Sequence, residues 1–346
     1  MKSRIHFLDS ARAILMFLGI PYHAGLLYAP LSDSLVPSPD GSRFLEVMSE
    51  AIHIFRMPIF FLVAGYFGAM LLERMQPAVW YRARLVRLCI PLVAGMLLLN
   101  PIVVIAIFYG PGGGKGDLVA TLTTAGGYGL WHLWFLPVLV GLCGLLALME
   151  TWGAWRILSV FVEHVLRRPV RSSILIFALW GPYGGAVMMA GSRAPDFFFA
   201  TSTVVAMLGF LPYFLIGSAM RRSRELFDRL TSASLISLAI PAAAVVLLLA
   251  TDWSGTTAVN VLRAFALPVA AIGCGRLLFA GCRRWLNEPS RTVTSLVDAS
   301  FTVYLFHMPL LGLLGLLLVK VRIFPPAEWA FLVALVTLLS MAVHQC

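Results

Sequence analysis

Long apolar runs recur through this chain of 346 residues, and they constrain its fold more than any other feature. Ten of them are read, near 9–29, 50–72, 85–108, 130–149, 173–191, 199–220, 232–251, 257–280, 295–319 and 328–344. At a rise of 1.5 Å per residue, about 20 apolar residues cross a hydrocarbon core roughly 30 Å thick. Lipid offers no partner to a backbone N–H or C=O, so runs of this length read as helices, which satisfy their own ladders. The expectation is an all-α polytopic membrane protein of about ten transmembrane helices, organised as a single transmembrane domain over 1–346.

Composition supports this reading. Charged residues make up 12% of the chain, about half of what a soluble domain carries. The polar stretches between runs leave no room for a soluble domain. The first run carries Asp9 and Arg12 and has no small-residue cleavage site after it, so it is expected to stay in the membrane rather than act as a signal peptide. Pro21, Pro58, Pro91, Pro137, Pro212, Pro241, Pro268 and Pro309 fall inside the runs. Prolines there imply helices kinked around an internal polar cavity, with neighbours taking up the freed backbone groups.

The distribution of cations sets an expected orientation. With the N-terminus in the cytoplasm, 18 of the 26 Lys and Arg residues lie in inner segments, five in outer loops and three (Arg12, Arg56, Arg263) within runs. That is the positive-inside pattern, and it explains the net charge of +10 without invoking nucleic acid. Ten spans then return the C-terminus to the cytoplasm as well. The segment 150–172, with Trp152 and Trp155 among basic residues, reads as an amphipathic stretch along the inner surface. Of the five cysteines, Cys89, Cys143 and Cys274 lie in runs, while Cys282 and Cys346 stand alone. None has the spacing of a disulfide framework or a zinc site, and no metal is expected.

The chemistry-bearing residues are the ionisable ones inside the runs. In "FLDSARAILMFLGIPYH" Arg12 and His23 are eleven residues apart. In a straight helix that is about 20° past three full turns and about 16 Å of rise, so the two share a face, with Asp9 on the same stripe. The second run carries His53 and Arg56 in "HIFRMP", the fourth carries His132 and Trp134 in "WHLWFL", and the ninth carries Tyr304 and His307 in "YLFHMP". Threaded in alternating directions, these four runs bring His23, His53, Arg56, His132 and His307 to one depth. A membrane histidine can simply bond a neighbouring helix, and for His53 and His132 both readings stand. His23 and Arg56 lie deeper, where ionisable side chains face functional cavities. Arg82, Arg84 and Arg87 in "YRARLVR" either enforce topology or bind the phosphates of a cytosolic ligand. "GPGGGKGD" at 110–117 lacks the glycine and hydroxyl positions of a phosphate-binding loop and reads as a flexible loop. Arg263 and Asn100 read as structural.

Taken in order, "FLDSARAILMFLGIPYH", "IHIFRMPIFFLVAGYF", "RARLVRLCIPL", "HLWFLPVLV" and "SFTVYLFHMPL" resemble the acyltransferase-3 family over essentially the whole chain, with Arg12 and His23 matching its arginine–histidine signature. The resemblance implies an O-acyltransferase of the bacterial inner membrane with no permanently bound cofactor. It implies a cytosolic acyl-CoA, succinyl-CoA or acetyl-CoA, as donor, and a carbohydrate hydroxyl beyond the membrane as acceptor. The opening stretch, the "FRM" and the "HLWFL" look most like family members of glucan biosynthesis, which implies succinyl transfer to a periplasmic glucan. In this reading the catalytic set is His23, Arg12, Arg56 and His307. The substrate-binding set is Arg82, Arg84, Arg87, Asp9, His53, His132, Trp134 and Tyr304. His23 is either the general base for the sugar hydroxyl or a transient acyl carrier. Partners are the bilayer, acyl-CoA and the polysaccharide. Alternatives are a family member acting on another cell-surface polysaccharide and, in a different class, a transporter or flippase. The latter would favour internal repeats, and none is visible in the sequence.

Overall fold

The computed structural model describes residues 5–29, 38, 40–111, 117–119, 130–155, 160, 182–184, 186–187, 200–251, 256–318 and 324–345. Among them no strand occurs. In chain order the helices are α1 (His6–Phe17), α2 (Gly19–Leu26), α3 (Arg43–Leu72), α4 (Pro77–Ala94), α5 (Asn100–Tyr109), α6 (Phe135–Thr151), α7 (Ala200–Arg222), α8 (Arg224–Leu230), α9 (Leu235–Ala250), α10 (Thr257–Trp285), α11 (Arg291–Leu318) and α12 (Pro325–Gln345). A π turn, Gly95–Leu99, joins α4 to α5, and a 3-10 turn, Trp131–Trp134, leads into α6.

Seven of the described helical segments are long and apolar enough to cross a membrane: Arg43–Leu72, Pro77–Tyr109, Trp131–Thr151, Thr203–Arg222, Thr257–Trp285, Arg291–Leu318 and Pro325–Gln345. The protein is an all-α polytopic membrane protein. Of the other expected spans, the first consists of α1 and α2 in series. The seventh is represented by α9, whose apolar part Ser237–Ala250 is shorter. The fifth, 173–191, lies largely outside the described residues, as do most of 150–172 and the loop at 110–117.

The chain divides into two compact units, each assembled from separated stretches. The first comprises Met1–Ala11, Ile54–Cys89 and Phe135–Glu288; the second comprises Arg12–His53, Ile90–Trp134 and Pro289–Cys346.

In the first unit, α3 and α7 touch through backbone. A Cβ added to Gly65 would lie 2.0 Å from Phe214 O, and one on Gly217 would lie 1.7 Å from Leu62 O. Only glycine permits that approach, and Ser218 Oγ then donates to Gly65 O at 3.1 Å. Small residues at a membrane helix crossing serve this purpose, since lipid tails give no hydrophobic drive for association. Helices α9 and α10 pack through Ala244, Leu248, Ala266 and Ala270, against which Ile54 also closes. Ser234 caps α9 in a reciprocal box with Ser237. Buried Arg263 closes the other end of α9, donating from Nη1 to Leu248 O and to Thr251 Oγ1, each at 2.8 Å, and to Thr251 O. A guanidinium on the last carbonyls of a helix answers both their unmet acceptors and the negative end of its dipole.

The second unit has its core where Ile20, Ala24, Val103, Val303, Leu311 and Leu332 meet, joining α2, α5, α11 and α12. Two polar contacts fix the start of α12: Tyr28 hydrogen-bonds Glu328, and Trp329 Nε1–H donates to Pro21 O at 3.1 Å.

The prolines act through the carbonyl four residues back, whose helical donor they remove. Pro21 removes the donor for Phe17 O, and α1 ends at Phe17. The interruption is local: Leu18 keeps right-handed helical dihedrals, its N–H bonds Ile14 O at 2.8 Å, and Tyr22 N–H bonds Leu18 O at 3.3 Å. Pro101 stands in the same relation to Leu97 in the π turn, where winding widens so that Asn100 N–H bonds Gly95 O, five residues back. Pro212 frees Leu208 O, which accepts from the Tyr183 hydroxyl at 2.6 Å. Pro309 frees Leu305 O, which accepts from His132 Nε2 at 3.1 Å.

Candidate active site

In the second unit six aromatic and imidazole rings follow one another from the surface inward. His53 of α3 stacks on Tyr22 of α2, centroids 5.3 Å apart and planes within 16°. Tyr22 meets His23 edge-on at 4.6 Å, and His23 lies 5.3 Å from His307 of α11. His307 lies 5.4 Å from His132 in an edge-on contact, and His132 lies 5.7 Å from Tyr304. Exposure is greatest at His53 and least at His307: His53 is exposed, Tyr22 and His23 are half-buried, and His307, His132 and Tyr304 retain 2%, 5% and 9% of their surface.

The inner histidines have defined tautomers. A carbonyl oxygen only accepts, so each ring nitrogen bonded to one carries the proton. His307 Nδ1–H donates to Tyr304 O at 2.7 Å, which makes Nε2 its basic nitrogen when the ring is neutral. His132 is the reverse: Nε2–H donates to Leu305 O at 3.1 Å, and Nδ1 is its basic nitrogen. The Tyr304 hydroxyl donates to His132 O at 2.6 Å, so the backbone of the 3-10 turn is tied to α11 as well. That turn starts at Trp131, whose φ of 40° lies in the left-handed region, disfavoured for a bulky side chain by about 1–2 kcal/mol. Among the described residues no group of three or more His, Cys, Asp or Glu side chains is arranged to hold a metal ion.

The structure thus brings together His23, His53, His132, His307 and Tyr304. Arg56 follows His53 by three residues on α3, half-buried, and belongs to the first unit. Arg12 is half-buried in the middle of α1, and Asp9 is buried on the same helix. Trp134 ends the 3-10 turn that carries His132. The three arginines of α4 separate by face. Arg82 and Arg87 are exposed along the arc that bears Val79 and Val86, themselves more than half exposed. Arg84 turns inward, its guanidinium 5.6 Å from the ring centroid of buried Trp80.

At the same end of the first unit, Arg221 pairs with Glu73 at 2.6 Å and lies over Tyr66 at 5.8 Å. Arg222 pairs with Glu150 and lies 4.6 Å over Trp155. These pairs join the C-terminal ends of α3, α6 and α7 beside the start of α4.

Sequence reasoning missed three residues. Tyr22 was passed over although it adjoins His23. Pro309 was counted as a kink without asking who takes Leu305 O. The backbone of Trp131 leaves no signal in a sequence, because nothing in its side chain asks for positive φ.

With this geometry in hand, the chain was compared with known proteins. A family model for an acyltransferase domain matches residues 5–345. The glucans biosynthesis protein C of Salmonella paratyphi B is 31% identical over 319 residues, covering 89% of this chain and 82% of its own length. The protein of the same name from Salmonella dublin gives the same figures. That of Escherichia coli is 41% identical over 97 residues, 28% of this chain and 25% of its own length. No solved structure matches the chain.

Proposed function

Since this chain belongs to the acyltransferase-3 family, whose acyltransferase-domain model spans residues 5–345, we propose that it is a succinyltransferase acting on hydroxyls of a periplasmic glucan, with cytosolic succinyl-CoA as donor. The observation that carries this reading is the half-buried His23 beside the buried His307, 5.3 Å away. The glucan is inferred from relatives named for glucan biosynthesis that match 89% of this chain. The cytoplasmic placement of both termini follows from the charge asymmetry.

In the reaction, the acceptor oxygen bonds to the thioester carbonyl carbon, the carbon–sulfur bond breaks, and the hydroxyl proton ends on the thiolate of CoA. His23 serves as the base that takes the proton and the acid that returns it. An imidazole suits both halves because its ordinary pKa, about 6.5, lies near working pH. His307, with Nδ1–H held by Tyr304 O, offers Nε2 to orient the His23 ring. From the sequence, Arg56 is assigned to the oxyanion or to the distal carboxylate of the succinyl group. Arg12 and Asp9 are likewise assigned to the donor side. Arg84 is better suited than Arg82 or Arg87 to CoA phosphates, because it alone of the three faces inward. His53 and Trp134 border the acceptor side.

The test uses membranes bearing wild type or His23→Ala at matched expression, supplied with labelled succinyl-CoA and, separately, acetyl-CoA. Label entering glucan from succinyl-CoA with the wild type, and about 10²–10⁴-fold less with the variant, is the expected result. Equal transfer by both proteins overturns the role of His23. Transfer from acetyl-CoA alone overturns the donor.

A further inference from the structure

His132, buried in the 3-10 turn, has no task in the reaction as described above. Four observations meet at His132. Its turn is entered through Trp131 at φ 40°. Its backbone carbonyl is held by the Tyr304 hydroxyl at 2.6 Å. Its Nε2–H is held at 3.1 Å by Leu305 O. Its Nδ1 is buried without a hydrogen-bond partner, on a residue only 5% exposed.

The third observation has a cause written in the sequence. In an uninterrupted helix, Leu305 O would accept from the N–H of residue 309. That residue is Pro309, within α11, and it has no N–H. The carbonyl that the proline releases is the one that binds His132. The same device operates at Pro212, where Tyr183 takes Leu208 O. There the donor is a phenol, and the contact is complete in itself. At Pro309 the donor is an imidazole, so holding one nitrogen determines the state of the other.

We propose that Pro309 is a positioning residue that, through Leu305 O, locks His132 in the Nε2–H tautomer, and that His132 Nδ1 thereby accepts a hydrogen bond from a hydroxyl of the acceptor carbohydrate other than the one acylated. The assignment rests on the acyl-transfer reading above and gives its acceptor a specific contact. A carbohydrate acceptor carries hydroxyls beside the one acylated, each with a hydrogen to donate, and a neutral Nδ1 only accepts. A buried acceptor left unmet is costly, so a site that reserves one discriminates for a ligand that satisfies it. The strained Trp131 and the Tyr304 contact hold the ring where that ligand meets it. His307 lies between, 5.4 Å from His132 and 5.3 Å from His23. Binding of one acceptor hydroxyl and deprotonation of another thus fall to two histidines on either side of a third.

The test separates the tautomer from the turnover. Protein labelled with 15N-histidine is reconstituted in lipid, and the His132 signals are assigned by difference from His132→Gln. Solid-state 15N spectra of the resting wild type are expected to show the proton on Nε2. In Pro309→Ala, the new N–H claims Leu305 O, and the His132 signals become a mixture of both tautomers. A wild type protonated at Nδ1, or an unchanged tautomer in Pro309→Ala, overturns the lock.

The glutamine variant tests the contact. Its amide nitrogen can replace Nε2 towards Leu305 O, but nothing replaces Nδ1. Expression and thermal unfolding like the wild type, with transfer to glucan about 100-fold lower and rising KM for glucan, is the expected result. Wild-type transfer by His132→Gln overturns the contact. Wild-type protein that acylates no glucan overturns instead the acceptor named in the preceding section. The resting tautomer needs no substrate, so the two failures are told apart.

Discussion

His23, Arg84 and Arg263 show how differently an ionisable side chain can be used inside one membrane protein. Arg263 is spent on structure: its guanidinium closes α9 at Leu248 O and Thr251. Arg263→Met should lower stability by about 2–3 kcal/mol, the range for hydrogen bonds to a charged group plus unmet carbonyls, and leave per-molecule activity unchanged. Thermal unfolding in detergent and specific activity check the two halves of that statement. Arg84 faces Trp80 rather than lipid, so Arg84→Ala should raise KM for acyl-CoA about tenfold or more. Arg82→Ala, on the exposed arc, should leave KM within about twofold. Arg binds phosphate through a planar fork that an ammonium lacks, so Arg84→Lys should recover only part of the loss. Initial rates against acyl-CoA concentration decide this, and equal effects of Arg82 and Arg84 would contradict the sorting by face.

At the scale of elements, prolines and glycines decide the geometry. Gly217 and Gly65 let α3 and α7 meet through backbone, and a methyl group there forces the helices apart. Gly217→Ala should cost at least about 1–3 kcal/mol, the usual cost of overpacking, seen as a lower unfolding temperature and a lower yield of monodisperse protein. Ser218→Ala removes one interhelical hydrogen bond and should cost only about 0.6 kcal/mol.

Most of the elements could be read from the sequence because hydrocarbon permits only one solution for a long apolar run. Seven helices of spanning length fall on the expected runs, and α3 reads longer than its run because Arg43 and Glu46 begin it with a charged turn. The meeting of His23, His53, His132 and His307 was legible for the same reason: alternating spans put residues of known depth beside one another. What could not be read was the local consequence of each proline. The sequence shows that Pro21 and Pro309 free Phe17 O and Leu305 O. Which group then takes a freed carbonyl, or whether the helix breaks instead, depends on what packs beside it. The arginines of α4 do not sort from sequence for a related reason, since three cations within six residues look the same whichever face the bundle covers.

For the whole molecule, the central claim is that His23 serves a donor and an acceptor on opposite sides of a bilayer. The most direct measurement encloses periplasmic glucan inside proteoliposomes and supplies labelled succinyl-CoA outside, with the protein oriented by selection for an accessible N-terminal tag. Label is expected on the enclosed glucan, with CoA thiol released outside in equal amount, and both are expected to fall about 10²–10⁴-fold in His23→Ala. Label confined to glucan added on the same side as the donor, or transfer undiminished in His23→Ala, would contradict that claim.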